Sequence, residues 1–115
     1  MKQNKLEQGD IVWLDFSPSK DNEMRGKHPA VVVSSNAYNQ KTNYVMVCPI
    51  TSHGNQFESY VELECYQGVH GRINTAQLYS YSYSRVEKGK PIDHLREADM
   101  IRVNQLLMMA LEIDD

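Results

Sequence analysis

From Gly9 the chain opens on "IVWLDF", where Val12, Leu14 and Phe16 alternate with Ile11, Trp13 and Asp15. That period of two predicts a strand with one face in a core. Ser17-Pro18 closes it, because proline has no N–H to give to a ladder. A polar loop follows, and Pro29 then leads "AVVVSS", a second β-branched run. Ser35 or Asn36 is placed to cap a short helical turn that Lys41-Thr42-Asn43 ends. "YVMVCPITS" barely alternates, which predicts a strand buried on both faces, with Pro49 at a bulge or a strand end.

"SYVELEC" alternates cleanly, so Val61, Leu63 and Cys65 are expected inward and Glu62 and Glu64 outward. Gly68 and Gly71 flank a turn before "RINTAQLYSYSYS", in which Tyr79, Tyr81 and Tyr83 predict a strand with one aromatic face. Such a stripe serves packing or a subunit contact more often than base stacking. The period then changes. In "LREADMIRVNQLLMMALEI", Met100, Val103, Leu107, Ala110 and Leu111 share a helical face, predicting a helix over 96–112. Leu106, Met108 and Met109 widen that stripe beyond what a small barrel needs, which points to a partner surface. Five or six short strands and a closing helix predict a mainly β fold, a small antiparallel barrel or strongly bent sheet.

Length and composition narrow this picture. The 115 residues suit one domain spanning 1–115, and 41% apolar with 23% charged residues is an ordinary globular mixture. The N-terminal "MKQNKLEQGD" holds no apolar stretch, so neither signal peptide nor membrane anchor is expected, and the cytoplasm is the expected compartment. Cys48 and Cys65 lie in strand-like runs and are expected to be reduced core residues. Each precedes a histidine by five (His53 and His70), an offset that puts the two side chains on opposite faces of a strand. No metal site and no cofactor is expected.

Net charge is −3 with histidine neutral, so bulk charge does not advertise a nucleic-acid binder. Its distribution says more. Lys20, Arg25, Lys27, His28 and Lys41 cluster early, while Glu112, Asp114 and Asp115 lie at the far end. The stretch Glu23 to His28 is richer in charge than a hairpin turn requires, because Lys20-Asp21-Asn22 already supplies the turn chemistry.

"GDIVWLDFSPSKDNEMRGKHPAVVVSSNAYN", "VCPITS" and "GRINTAQLYS" together resemble the MazF/PemK family of toxin endoribonucleases, from about Gly9 to Tyr81. The resemblance implies an SH3-like small β-barrel of the CcdB/MazF kind with a C-terminal helix, active as a homodimer. It implies metal-free, sequence-specific cleavage of single-stranded RNA. It also implies a cognate MazE/PemI-like antitoxin whose acidic segment covers the RNA groove, and which binds DNA together with the toxin. Glu23 matches the glutamate of the family loop, Thr51 its catalytic or phosphate-binding threonine. His28 stands where the family has an arginine before proline. Ala76-Gln77 stands where members carry an acid or Asn before Gln.

The chemistry fits those positions. Metal-free cleavage needs a base for the 2′-hydroxyl, an acid for the 5′-oxygen and donors for the phosphorane. An imidazole such as His28 serves as base or acid near neutral pH. Arg25 or Lys27 can bind phosphate, and Thr51 can donate a hydroxyl hydrogen bond to it. The resemblance and this chemistry together imply a catalytic set of His28, Thr51, Arg25 and Glu23, with Lys27, Ser52, Asn74 and Gln77 expected in RNA contact. The bland alternatives are a Glu23 ion pair with Arg25 or Lys27, an exposed strand-entry His28 and an ordinary strand-end Thr51. Two other functions remain open: a catalytically weakened RNA- or antitoxin-binding protein lacking the acid at Ala76, and a gyrase-targeting toxin like CcdB.

Overall fold

A computed structural model of the protein describes residues 4–16, 26–52 and 60–111. "IVWLDF" supplies strand β1 (Asp10–Asp15), paired antiparallel with β2 (Lys27–Val32) so that Ile11 faces Val31 and Leu14 faces His28. Helix α1 (Asn36–Thr42) follows: the Ser35 hydroxyl accepts from the Tyr38 N–H at 3.1 Å, and Asn43 ends it in the left-handed region at φ 59°. Strand β3 (Tyr44–Thr51) is central. It pairs with β2 on one edge and with both β5 (Gly71–Asn74) and β6 (Tyr79–Ser82) on the other. With β4 (Tyr60–Leu63) and the two-residue β7 (Asp93–His94), the sheet order is β4-β5-β3-β2-β1-β7, every pair antiparallel. Helix α2 (Glu97–Leu111) closes the described chain. This is the bent, mainly β architecture with a C-terminal helix that the pattern predicts, with one strand more because two residues at β7 are too few to show a period.

Both faces of the sheet are covered. On one, Ile11, Val31, Cys48 and Ile73 pack against Val103 and Leu106 of α2. On the other, Val12, Leu14, Phe16, Val45 and Val47 form a second core closed by Leu6, Tyr83 and Val86. Each such side chain contributes about 1.5–3 kcal/mol when fully buried. A polar network ties the N-terminal segment down. The buried Asn39 amide donates to Leu6 O at 3.0 Å, Asn4 donates to Asn39 O at 3.0 Å, and the Ser34 hydroxyl accepts from Met46 N–H at 3.0 Å.

Four expectations are corrected. Pro49 marks neither a bulge nor an end but lies inside β3, opposite Ala30. Met46 O accepts from Val33 N–H, so the alternation of backbone groups turns the missing N–H of residue 49 to the other edge. There the ladder passes from β6, last paired at Val47, to β5, first paired at Ile50, and no bond is lost. Cys65 is exposed rather than inward, because β4 stops at Leu63 and Cys65 takes a left-handed φ of 62°. Tyr83 leaves the aromatic strand: it opens a 3₁₀ turn (Tyr83–Arg85), is buried, and donates its hydroxyl to Gly89 O at 2.9 Å. On α2, Leu106 belongs to the core, whereas Ala110 and Leu111 are exposed.

Burial pushes the Cys48 thiol from 9.0 up to about 12. A pKa raised by folding gives stability that is complete below the unfolded value and is lost as pH climbs towards the folded one. The window here is pH 9 to 12, and the loss is about 1.4 kcal/mol per pH unit. Urea unfolding at pH 8 and pH 11 should therefore show the Cys48→Ala variant losing about 2–3 kcal/mol less than wild type between the two pH values. Equal losses would mean that Cys48 is not the titrating group.

A candidate nucleic-acid cleft at the end of the central strand

The site originates in a second proline. Phe16 N–H donates to Gly26 O at 2.8 Å, so the backbone groups of Gly26, His28 and Ala30 face β1, and those of Lys27, Pro29 and Val31 face β3. Pro29 has no N–H to offer β3. The β2–β3 ladder accordingly ends at the Ala30–Pro49 pair. Beyond it lies a cleft of about 420 Å³. Trp13 of β1, His28 and Pro29 of β2, and Ile50, Thr51 and Ser52 at the end of β3 form three sides. Gly68, Val69 and His70, just before β5, form the fourth.

Continuing the β2–β3 register by two residues sets His28 opposite Thr51, so the structure brings together two of the expected catalytic residues with Ser52 beside them. The His28 ring lies edge-on to Phe16 with centroids 6.2 Å apart, which fixes it from the core side. On its other edge Thr51 pairs with Arg72 of β5, whose guanidinium holds Glu62 at 2.9 Å. Among the described residues that line the cleft, the ionisable side chains are the imidazoles of His28 and His70.

The fourth side is held tightly. Gly71 has φ 124°, and a Cβ on it would lie 2.5 Å from Thr51 O. Only glycine tolerates both that conformation and that approach. Upstream, Tyr66 donates its hydroxyl to Asp99 at 2.6 Å and accepts from Arg96 N–H at 2.9 Å, while the Arg96 guanidinium stacks 4.2 Å over its ring. Burial and then the Asp99 hydrogen bond raise the Tyr66 pKa. The segment carrying His70 is thus clamped to the start of α2 at one end and to β3 at the other.

Other expected residues lie elsewhere. The Lys27 ammonium is 3.6 Å from Glu87, outside the cleft lining. Asn74 and Gln77 are joined to each other, Asn74 donating to Gln77 Oε1 at 3.1 Å and accepting from Ala76 N–H at 3.0 Å. They shape the turn between β5 and β6. Tyr79 and Tyr81 stack on each other and pack edge-on against Phe16, which makes their stripe core packing. Glu23, Arg25 and His53 lie outside the described residues. Sequence reasoning missed Trp13 and His70. The signals were present: a large aromatic on the non-core face of β1, and a histidine between two closely spaced glycines.

Comparison with known proteins gives a consistent picture. A family model described as the PemK-like, MazF-like toxin of type II toxin–antitoxin systems matches residues 7–111. The chain is 34% identical over 116 residues to the endoribonuclease toxin ChpB of Escherichia coli K12, covering 93% of this chain and 98% of ChpB. It is 46% identical over 52 residues to the endoribonuclease toxin MazF of the same strain, a match spanning 44% of this chain and about half (47%) of that relative's length. Its fold is similar to that of MazF from Deinococcus radiodurans, at TM-score 0.84 and 28% identity over 94% of this chain and 97% of that one. A MazE–MazF structure from D. radiodurans is similar at TM-score 0.78 and 25% identity, over 95% and 97% of the two chains.

Gly71→Ala is expected to lower stability by about 2–4 kcal/mol, through a strained φ and the clash with Thr51 O. Gly68→Ala should change it by less than about 0.5 kcal/mol, because its nearest neighbour, Ile92 O, lies 3.7 Å away. Urea midpoints of the two variants measure the difference, and equal midpoints would refute the close packing at Gly71.

Proposed function

The chain belongs to the PemK-like, MazF-like toxin family of type II toxin–antitoxin systems, and we propose that it is a metal-independent endoribonuclease that cuts single-stranded RNA. The observation that carries this reading is the register across the cleft, which sets His28 opposite Thr51 beyond the last paired residues of β2 and β3. A phosphodiester in that gap meets an imidazole on one strand and a hydroxyl on the next.

In the proposed reaction His28 withdraws the 2′-hydroxyl proton, and the 2′-oxygen attacks the adjacent phosphorus. Thr51 donates a hydrogen bond to a non-bridging oxygen as charge develops on it. The strand breaks at the 5′-oxygen, leaving a 2′,3′-cyclic phosphate and a 5′-hydroxyl. Arg25 and Glu23 complete the proposed catalytic set from the preceding loop. Lys27, Ser52, Asn74 and Gln77 are the proposed RNA contacts, with Ser52 the one that shares the cleft. A cognate antitoxin of the MazE/PemI kind is the proposed inhibitor, and the whole of 1–115 is proposed as one toxin domain working in the cytoplasm. No helix among the described residues is long and apolar enough to cross a membrane.

The weakened-binder reading rested on the missing acid at Ala76. Ala76 lies in the β5–β6 turn and is not part of the cleft lining, so its identity takes nothing from the cleft. The gyrase reading rested on fold alone, whereas the family match extends to sequence. Ile101, Met108, Met109 and Leu111 leave α2 with an exposed apolar face, which supports the homodimer that the sequence leads one to expect.

Mass spectrometry of an RNA oligonucleotide digested in EDTA tests the chemistry. The expected products carry 2′,3′-cyclic phosphate and 5′-hydroxyl ends, and a single 2′-deoxy substitution at the cut site should abolish cutting without abolishing binding. A 5′-phosphate product would overturn the mechanism. His28→Ala should slow cleavage about 10²- to 10⁴-fold with unchanged circular dichroism. Sedimentation equilibrium at micromolar concentration should return twice the 13.3 kDa chain mass, whereas a clean monomer would reject the dimer.

A further inference from the structure

We propose that His70 is a second catalytic residue of the cleft, the acid that protonates the departing 5′-oxygen. The proposal rests on the ribonuclease reading above and deepens it by completing the proton transfers. Three neighbouring chain segments lie side by side: His28 on β2, Thr51 on β3, and His70 at the entry to β5. Thr51 pairs with Arg72, so His70 lies two residues further along the β5 side, and His28 and His70 line opposite sides of the cleft. In the proposed complex a phosphate at Thr51 lies between the two histidines that line the cleft. In-line displacement puts the attacking 2′-oxygen and the leaving 5′-oxygen on opposite sides of phosphorus, so the reaction needs its base and acid on opposite sides as well.

The placement of His70 is enforced. Gly71, the next residue, lies so close to the Thr51–Ser52 peptide that a Cβ would come within 2.5 Å of Thr51 O. Val69, the residue before, is buried in the core beneath α2. His70 itself is exposed and faces the cleft. Among the described residues that line the cleft, the two imidazoles are the titratable groups. The nearest charge along β5, Arg72, is held by Glu62 of β4.

The step balances as follows. The 2′-O–H proton passes to neutral His28, the 2′-oxygen forms its bond to phosphorus, and the P–O5′ bond breaks. The electron pair goes to the 5′-oxygen, which takes the proton of the His70 imidazolium. His28 leaves the step protonated and His70 neutral, and exchange with water restores both.

A substrate with sulfur in place of the bridging 5′-oxygen tests this, because a thiolate departs without needing an acid. On all-oxygen RNA, His70→Ala and His70→Gln should both slow cleavage about 10²- to 10³-fold. On the bridging-sulfur substrate both should run within about threefold of wild type, while His28→Ala stays slow on the two substrates alike. Wild-type-like cleavage of ordinary RNA by His70→Ala overturns the assignment. So does an equal loss on both substrates, which would mark His70 as a binding or structural residue, and so does recovery in His70→Gln, which would mean hydrogen bonding is its role. A wild-type protein inert towards both substrates would instead remove the ribonuclease reading, and this proposal with it.

Discussion

A strand can lose its amide hydrogen on one edge and stay paired on the other, and this sheet uses that constraint twice. Pro49 faces the edge of β3 where the partner changes from β6 to β5, so the sheet can turn without breaking its central strand. Pro29 faces β3 from β2, so that ladder stops at Ala30 while β1 and β2 continue together to Asp15 and Lys27. Bending and opening are thus separated along the same strand. The first lets two cores form on opposite faces, and the second leaves a gap at one end, walled by strands β1 to β3 and by the segment that leads into β5.

Rigidity matters because proton transfer needs groups held to within a fraction of an ångström. Phe16 backs His28 from the buried core. Thr51 is paired to Arg72, and the segment before β5 is held by the contact of Gly71 with Thr51 and by the Tyr66–Asp99–Arg96 group. That group reaches the first turn of α2, where Glu97 and Asp99 also complement the helix dipole. The helix therefore covers a core and also helps define the far wall of the cleft.

Local signals in the sequence carried most of the fold. The alternation of β1, the unbroken apolar run of β3, the Ser35 cap and the helical period of α2 each depend on residues a few positions apart, and each reappears in the structure. What failed was non-local. Cys65 reads as inward by alternation, but its strand stops two residues earlier; Pro49 reads as a terminator because the edge it faces cannot be known before the pairing is. The site divides in the same way. His28 and Thr51 follow from a family pattern, and their meeting follows from the β2–β3 register. His70 and Trp13 left only local marks, a histidine between glycines and an aromatic on the non-core face of β1. What brings them to the cleft is the positive φ of one glycine and the face chosen by one strand. Asn74 and Gln77, whose amides suit RNA contact, also bond to each other across the β5–β6 turn.

Trp13 is the one tryptophan of the chain, and it stands at the cleft with 36% of its surface exposed. The intrinsic indole emission of the protein therefore comes from a single place, and that place is a wall of the cleft. Whatever fills the gap between β2 and β3 must displace water from that ring or lie against it. Occupancy of the cleft is consequently written into the native fluorescence, with no label attached and no second fluorophore of the same kind to obscure it.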